Sequence, residues 1–307
     1  MESQELDGVI PALVTPVGPE GELDLQTIPE LVNFLLSRRV SGLFVAGSTG
    51  EGFYLTPEEK KLLVESVVRA VHRRVPVIVH LASMNFREIL DLAEHARRVG
   101  ADMVSSVVPF YYSYSLEEIR DYYLRIAEVS GLPLIAYALV QVMNPAVPPR
   151  EFVRMLLEVK GLYGIKFSCS DMYYLQRLKQ HSPEELRYYG GWDSLALAMF
   201  MMGAVGVIGS QYNALPEIWI ALYSAFVRGD LARARQIHDR LSYFMSQYES
   251  VPPAARAKYI LRLRGVDVGG QRLPQRPLSR EQKETVRRVF EEMKRDQIFG
   301  PILENGA

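Results

Sequence analysis

Residues 161–171 read GLYGIKFSCSD, and the lysine at position 166 stands between an isoleucine and a phenylalanine in an otherwise apolar run. An ammonium in such a run either faces solvent, snorkelling or salt-bridged, or is held where water is scarce. The second arrangement disfavours the charged form, and a neutral amine attacks a ketone to form a Schiff base. Hydroxyl groups stand at comparable places along the chain. AGSTGE, residues 46–51, puts Ser48 and Thr49 between Gly47 and Gly50. Backbone N–H groups in such a turn cradle an anion and the hydroxyls add donors, which suits a carboxylate. A plain strand-to-helix turn of small residues has the same composition. No lysine follows the glycines, so a nucleotide-phosphate loop is not indicated.

Tyr137 closes the apolar run 133–138. It either packs with its hydroxyl on backbone or moves a proton at a substrate hydroxyl. With an ordinary pKa near 10, the second role needs a relay through other hydroxyls. PFYYSYS, residues 109–115, gathers four aromatics in one loop, as contact with substrate or another subunit, or as a lid over the core. The histidines, His72, His80, His95, His181 and His238, are scattered, with no metal-protease spacing. His80 lies in an apolar run, where core packing or a structural hydrogen bond is expected. No metal site is indicated, and Schiff-base chemistry needs no metal or other cofactor. Cys169 has no basic neighbour in sequence and reads as a small buried hydrophobe.

The elements that must position these groups are legible as an alternation. Apolar runs at 9–14, 43–47, 75–81, 102–108, 133–138, 162–167, 187–190 and 205–209 have the near-continuous pattern of parallel strands covered on both faces. Helical patterns at 25–39, 57–73, 86–98, 115–129, 149–159, 171–180, 194–202 and 215–227 separate them. TPEEK at 56–60 and SLEEI at 115–119 carry capping boxes, and Gly100 and Gly131 follow helical patterns as stops. Eight strands and eight helices predict a (β/α)8 TIM barrel over 1–228 rather than an open sheet. Residues 229–307 show only helical patterns, at 230–247, 254–264 and 280–295, and are expected as a helical extension packed on the barrel. In a barrel the chemistry gathers at the C-terminal ends of the strands. Those ends carry Gly47, Ser48 and Thr49; Phe110 and Tyr111; Tyr137; Lys166 and Ser168; Asp193; and Ser210.

The chain has 307 residues and a net charge of -1, which argues against a nucleic-acid surface. Its most apolar stretch, 195–209, is too short and too glycine-rich to span a membrane. One cysteine excludes an internal disulfide, and with no signal-like start a cytoplasmic location is expected.

Taken in order, GSTGE (47–51), PFYY (109–112), Tyr137, GIK (164–166), GGWD (190–193) and GAVGVIGSQYN (203–213) resemble the dihydrodipicolinate synthase / N-acetylneuraminate lyase superfamily. The likeness spans essentially the whole chain. It implies a (β/α)8 barrel with a C-terminal helical extension, a homotetramer and a pyruvate-dependent class I aldolase. Lys166 would carry the Schiff base, and Ser48 and Thr49 would hold the pyruvate carboxylate, with Gly47 beside them and Thr49 in the proton relay. Tyr137 would shuttle the proton at the C4 hydroxyl, and Tyr111 would reach in from an adjacent subunit. The lyase branch is the nearer. It implies that Ser168, Gly191, Asp193, Ser194, Gly209 and Ser210 face the polyol of the aldehyde half. The synthase branch places an arginine where this chain has Val142, so 4-hydroxy-tetrahydrodipicolinate synthase is the disfavoured alternative. The lyases have a glutamate where Ser194 stands and Y-N-x-P where YALV stands, and Phe167 after the lysine is unusual. These departures leave room for a shorter aldehyde, as in a 2-keto-3-deoxygluconate-type aldolase, or for a keto-acid dehydratase. A non-catalytic keto-acid sensor is a further reading, against which the retained Lys166, Tyr137, Tyr111 and Ser48–Thr49 pair argue.

Overall fold

The helix signals written in the sequence are met in the structure, a computed structural model that describes residues 6–81, 83–139 and 147–305. Thr56 and Glu59 exchange both capping-box hydrogen bonds, as do Ser115 and Glu118. Gly100 and Gly131 close their helices in the left-handed region, at φ 87° and 58°.

Among the described residues, strands and helices alternate from β1 Gly8–Pro11 and α1 Ile28–Leu36 through β2 Leu43–Val45, α2 Pro57–Val71, β3 Val77–His80, α3 Phe86–Val99, β4 Met103–Val107 and α4 Leu116–Ser130. The series continues with β5 Leu134–Ala138, α5 Pro149–Leu157, β6 Leu162–Phe167, α6 Met172–Gln180, β7 Arg187–Gly190, α7 Ala196–Met201, β8 Gly206–Gly209 and α8 Pro216–Val227. Every pairing is parallel, in the order β1-β8-β7-β6-β5-β4-β3-β2. A bridge between Ala12 and Phe44, with the Leu13 N–H donating to the Phe44 carbonyl at 2.8 Å, closes β1 onto β2. The chain is the expected (β/α)8 barrel. Helices α9 Leu231–Ser246, α10 Pro253–Leu263, α11 Arg280–Arg295 and α12 Phe299–Asn305 follow it. Among the described residues no helix is long and apolar enough to cross a membrane.

The boundaries differ from expectation for local reasons. The first strand stops at Pro11 rather than Val14, because Ala12 still donates to Gly209 while Leu13 turns to Phe44. Strand β2 stops at Val45, because Ala46 adopts φ 60°. The helix expected at 194–202 opens as a 3-10 turn, Asp193–Leu195, before α7. Helix α12 was not legible. FGPILEN has no helical periodicity, and Asp296 starts the turn by accepting from the Ile298 and Phe299 N–H groups.

One face of every strand fills the barrel. Ile10, Phe44, Ile78, Met103, Ile135, Tyr189 and Ile208 form this inner core, distinct from the larger one between strands and helices. Side chains alternate along a strand. The residue two places nearer the C-terminal end therefore also faces inward, which brings His80, Tyr137, Gly191 and Ser210 above that floor. Lys166 joins them through an irregularity. Leu134 pairs with Leu162, but Ile135 pairs with Gly164, so β6 holds one extra residue opposite β5. That bulge sets Lys166 beside inward-facing Tyr137 and Tyr189. In regular register it would have shared the outward face of Ala138.

Candidate active site

Lys166 ends up 5% exposed. Its ammonium lies 4.0 Å from the centroid of the Tyr137 ring and 4.3 Å from that of Phe44. Among the described residues no carboxylate forms an ion pair with it, so the only partners of the charge are two aromatic faces. Phe44 was not foreseen, since a phenylalanine in a buried strand reads as core.

His80 completes the same chamber, its ring edge-on to Tyr137 at 5.7 Å and tilted against Phe44 at 5.4 Å. The packing was expected; among the described residues neither ring nitrogen has a partner at full hydrogen-bond geometry, while the Ala46 backbone lies close enough to act on the ring. Burial, reinforced by the Lys166 charge, pulls its pKa down to about 3, so the ring is neutral near pH 7. An unfolded histidine titrates near 6.5. The stability conferred by the neutral ring is therefore complete above about pH 6.5 and is lost as pH falls toward about 3. Between about pH 7.5 and pH 5, urea unfolding should show the parent losing about 2 kcal/mol more than His80→Phe. Equal losses in the two proteins would assign the acid sensitivity elsewhere.

The anion loop follows β2. Ala46 and Glu51 flank it in the left-handed region, at φ 60° and 56°. Such angles are costly for residues with a side chain and persist only where the surroundings enforce them. Here they are enforced from the C-terminal helices. The Glu51 carboxylate accepts from the Lys258 ammonium at 2.6 Å and from the Arg272 N–H at 2.8 Å. Arg272 also grips Glu59 of α2 with both arms of its guanidinium. Gly52 is needed because a Cβ there would overlap the Ala46 carbonyl. Gly47 is buried, Thr49 half-buried and Ser48 exposed, and among the described residues neither hydroxyl is tied up by a hydrogen bond.

On the opposite side, Gly191 lies against Lys166. A Cβ at Gly191 would overlap Ser168 Oγ and approach Lys166 Cε to 3.2 Å. Ser168 donates to the Gly191 carbonyl at 3.1 Å. Asp193 folds over Gly209, and its Oδ2 accepts from the Ser210 N–H, the Ser210 hydroxyl and the Gln211 N–H at 3.2, 3.1 and 2.9 Å. Burial pushes its carboxyl above the usual range. Asp193 thus ties the seventh loop to the eighth. The Ser194 carbonyl accepts from His238 of α9 at 3.0 Å.

Gly191, Asp193, Ser194 and Ser210 line one cavity of about 370 Å³, whose far wall is built by α9, α10 and the turn between them. Arg256 of α10 belongs to that wall. It was missed because a basic residue in a helical pattern ordinarily reads as solvated surface. Tyr111 is not gathered with the others: it is 73% exposed, its ring edge-on to Tyr112. Val142 lies outside the described residues. Among the described residues no group of three or more His, Cys, Asp or Glu is placed to hold a metal ion.

Comparisons with known proteins agree with this fold. The family model described as the Dihydrodipicolinate synthetase family matches residues 5–293. An N-acetylneuraminate lyase of Rhizobium meliloti is 32% identical over 88% of this chain and 89% of its own length. A 4-hydroxy-tetrahydrodipicolinate synthase 2 of Halalkalibacterium halodurans is 31% identical over 93% of this chain and 98% of its own. Among solved structures, an N-acetylneuraminate lyase from Mycoplasma synoviae superposes with a TM-score of 0.86 at 30% identity, covering 95% of this chain and 99% of that one. The wild-type sialic acid aldolase of Ruminococcus gnavus gives 0.90 at 26% identity, covering 98% and 99%.

Proposed function

This chain belongs to the dihydrodipicolinate synthetase family, and from that premise we propose that it is a Schiff-base aldolase acting on the C3–C4 bond of a 2-keto-3-deoxy sugar acid. The observation that carries the reading is Lys166, turned into the barrel by the bulge in β6 and held between two aromatic rings without a carboxylate. The amine faces the barrel interior and no carboxylate ties it up among the described residues, which leaves it open to a ketone.

The step balances without a cofactor. The Lys166 amine adds to the C2 ketone and expels water, leaving a protonated iminium. Tyr137 accepts the C4 hydroxyl proton as it passes its own phenolic proton on to Thr49 and Tyr111, and the same relay later returns a proton to C3. The C3–C4 pair then flows into the iminium to give an enamine, and an aldehyde leaves. Protonation at C3 and hydrolysis return pyruvate and the free amine. Ser48 and Thr49 hold the pyruvate carboxylate at the loop whose hydroxyls are open, and Gly47 lets that loop pass closely. Tyr111 serves from a second copy, in a homotetramer whose contacts cover the exposed Tyr111, Tyr112, Phe53 and Tyr54. The cavity beyond Gly191 takes the aldehyde half.

The test is release of pyruvate from N-acetylneuraminate and from shorter 2-keto-3-deoxy sugar acids, followed through lactate dehydrogenase. Turnover of at least one is expected. Turnover of none, with condensation of pyruvate and aspartate semialdehyde instead, would move the assignment to the synthase reaction.

A further inference from the structure

Beyond Gly191 the cavity holds one group that the aldolase chemistry does not use. Arg256 is 4% exposed. Its Nε donates to the Gln211 side chain at 3.2 Å and its Nη1 to the Tyr248 carbonyl at 3.0 Å, with the Tyr248 ring stacked below at 4.2 Å. A guanidinium carries five N–H donors, so these two bonds leave donors unspent. Two other enclosed cations that the aldolase chemistry does not use are neutralised at contact distance, Lys258 by Glu51 at 2.6 Å and Arg264 by Glu217 at 2.7 Å. Arg256 has no such partner among the described residues. Two carboxylates line the same cavity and attract the guanidinium from a distance, neither of them in contact with it. Asp193 has one oxygen occupied by three donors, and Glu249 is exposed at the rim, where water screens it.

A buried guanidinium without a contact ion pair gains from a bound anion that reaches its free donors. Its planar fork matches a carboxylate better than it matches scattered hydroxyls. We propose that Arg256 is a specificity-determining residue for the far end of the aldehyde half, and that this end carries a carboxylate. The preferred acceptor is then an aldehyde acid, and the cleaved substrate is a 2-keto-3-deoxy diacid rather than a sugar acid with a neutral tail. The inference rests on the aldolase reading and names its substrate class. About 370 Å³ accommodates a six-carbon chain.

The experiment is condensation of pyruvate with matched acceptors: glyceraldehyde against tartronate semialdehyde, glucose against glucuronate, and galactose against galacturonate. In one of the pairs the acid should be favoured in kcat/KM by roughly 10- to 100-fold, the range of a charge-assisted hydrogen bond. Arg256→Gln should erase that preference. Because Arg256 also ties α10 to the barrel, Ser246→Asp on the exposed rim of the cavity gives an independent test; it should lower kcat/KM for the acid acceptor more than for its neutral match. Borohydride trapping of pyruvate on the parent protein separates the two levels. An adduct with no acid preference, or a preference surviving Arg256→Gln, overturns this inference alone. Absence of any keto-acid adduct overturns the aldolase reading and this one with it.

Discussion

Replacing Lys166 by methionine is expected to abolish turnover, by on the order of 10⁴-fold or more in kcat, while leaving the protein at least as stable as the parent. The two halves of that result come from one environment. The amine is the nucleophile, and methionine offers none, so the covalent route closes. The same ammonium is buried against Tyr137 and Phe44 with no carboxylate paired to it, an arrangement that costs folding energy. Methionine fills similar space without a charge and removes that cost. A lysine kept for structure predicts the reverse, lost stability with activity falling only in proportion. Steady-state kinetics and urea unfolding on the two proteins distinguish the cases.

The second large effect concerns a residue remote from the chemistry. Lys258 and Glu51 form an ion pair in which both side chains are 1% exposed. Burial draws the Lys258 pKa down and the Glu51 charge opposes it. Lys258→Met leaves Glu51 as a buried charge held by the Arg272 N–H and the more distant Arg272 guanidinium, and should cost about 3–5 kcal/mol. Glu51 is also the left-handed residue that closes the loop bearing Ser48 and Thr49. The loss should therefore surface as a higher KM for the keto acid in the fraction that remains folded. Replacing both partners, Glu51→Gln with Lys258→Met, should recover much of the stability, because no charge is then stranded. If the double variant is as unstable as the single one, packing of the lysine stem rather than the charge is responsible.

Much of the fold was legible because its signals are local. Capping boxes at Thr56 and Ser115, glycine stops at 100 and 131, and uninterrupted apolar runs each act within a few residues. The candidate site was legible by residue type and only partly by orientation. LYGIKF does not alternate, so nothing in it says which way Lys166 points; the bulge that decides this depends on pairing with Leu134 and Ile135. Asp193 was read as a residue of the seventh loop, but its bonds to Ser210 and Gln211 arise from residues 17 and 18 positions away. Arg256 and Lys258 sit in one helical run and look equivalent in sequence. Their difference, a carboxylate for one and a cavity for the other, is made by Glu51 and by the loops after β7 and β8.

The measurement that tests the account most directly is the intact mass of the protein after borohydride treatment with pyruvate, alongside Lys166→Met. One pyruvate-sized adduct per chain on the parent and none on the variant is the predicted result. No adduct on the folded parent with pyruvate or any other 2-keto acid, or an equal adduct on the variant, would contradict it and return Lys166 to a structural role.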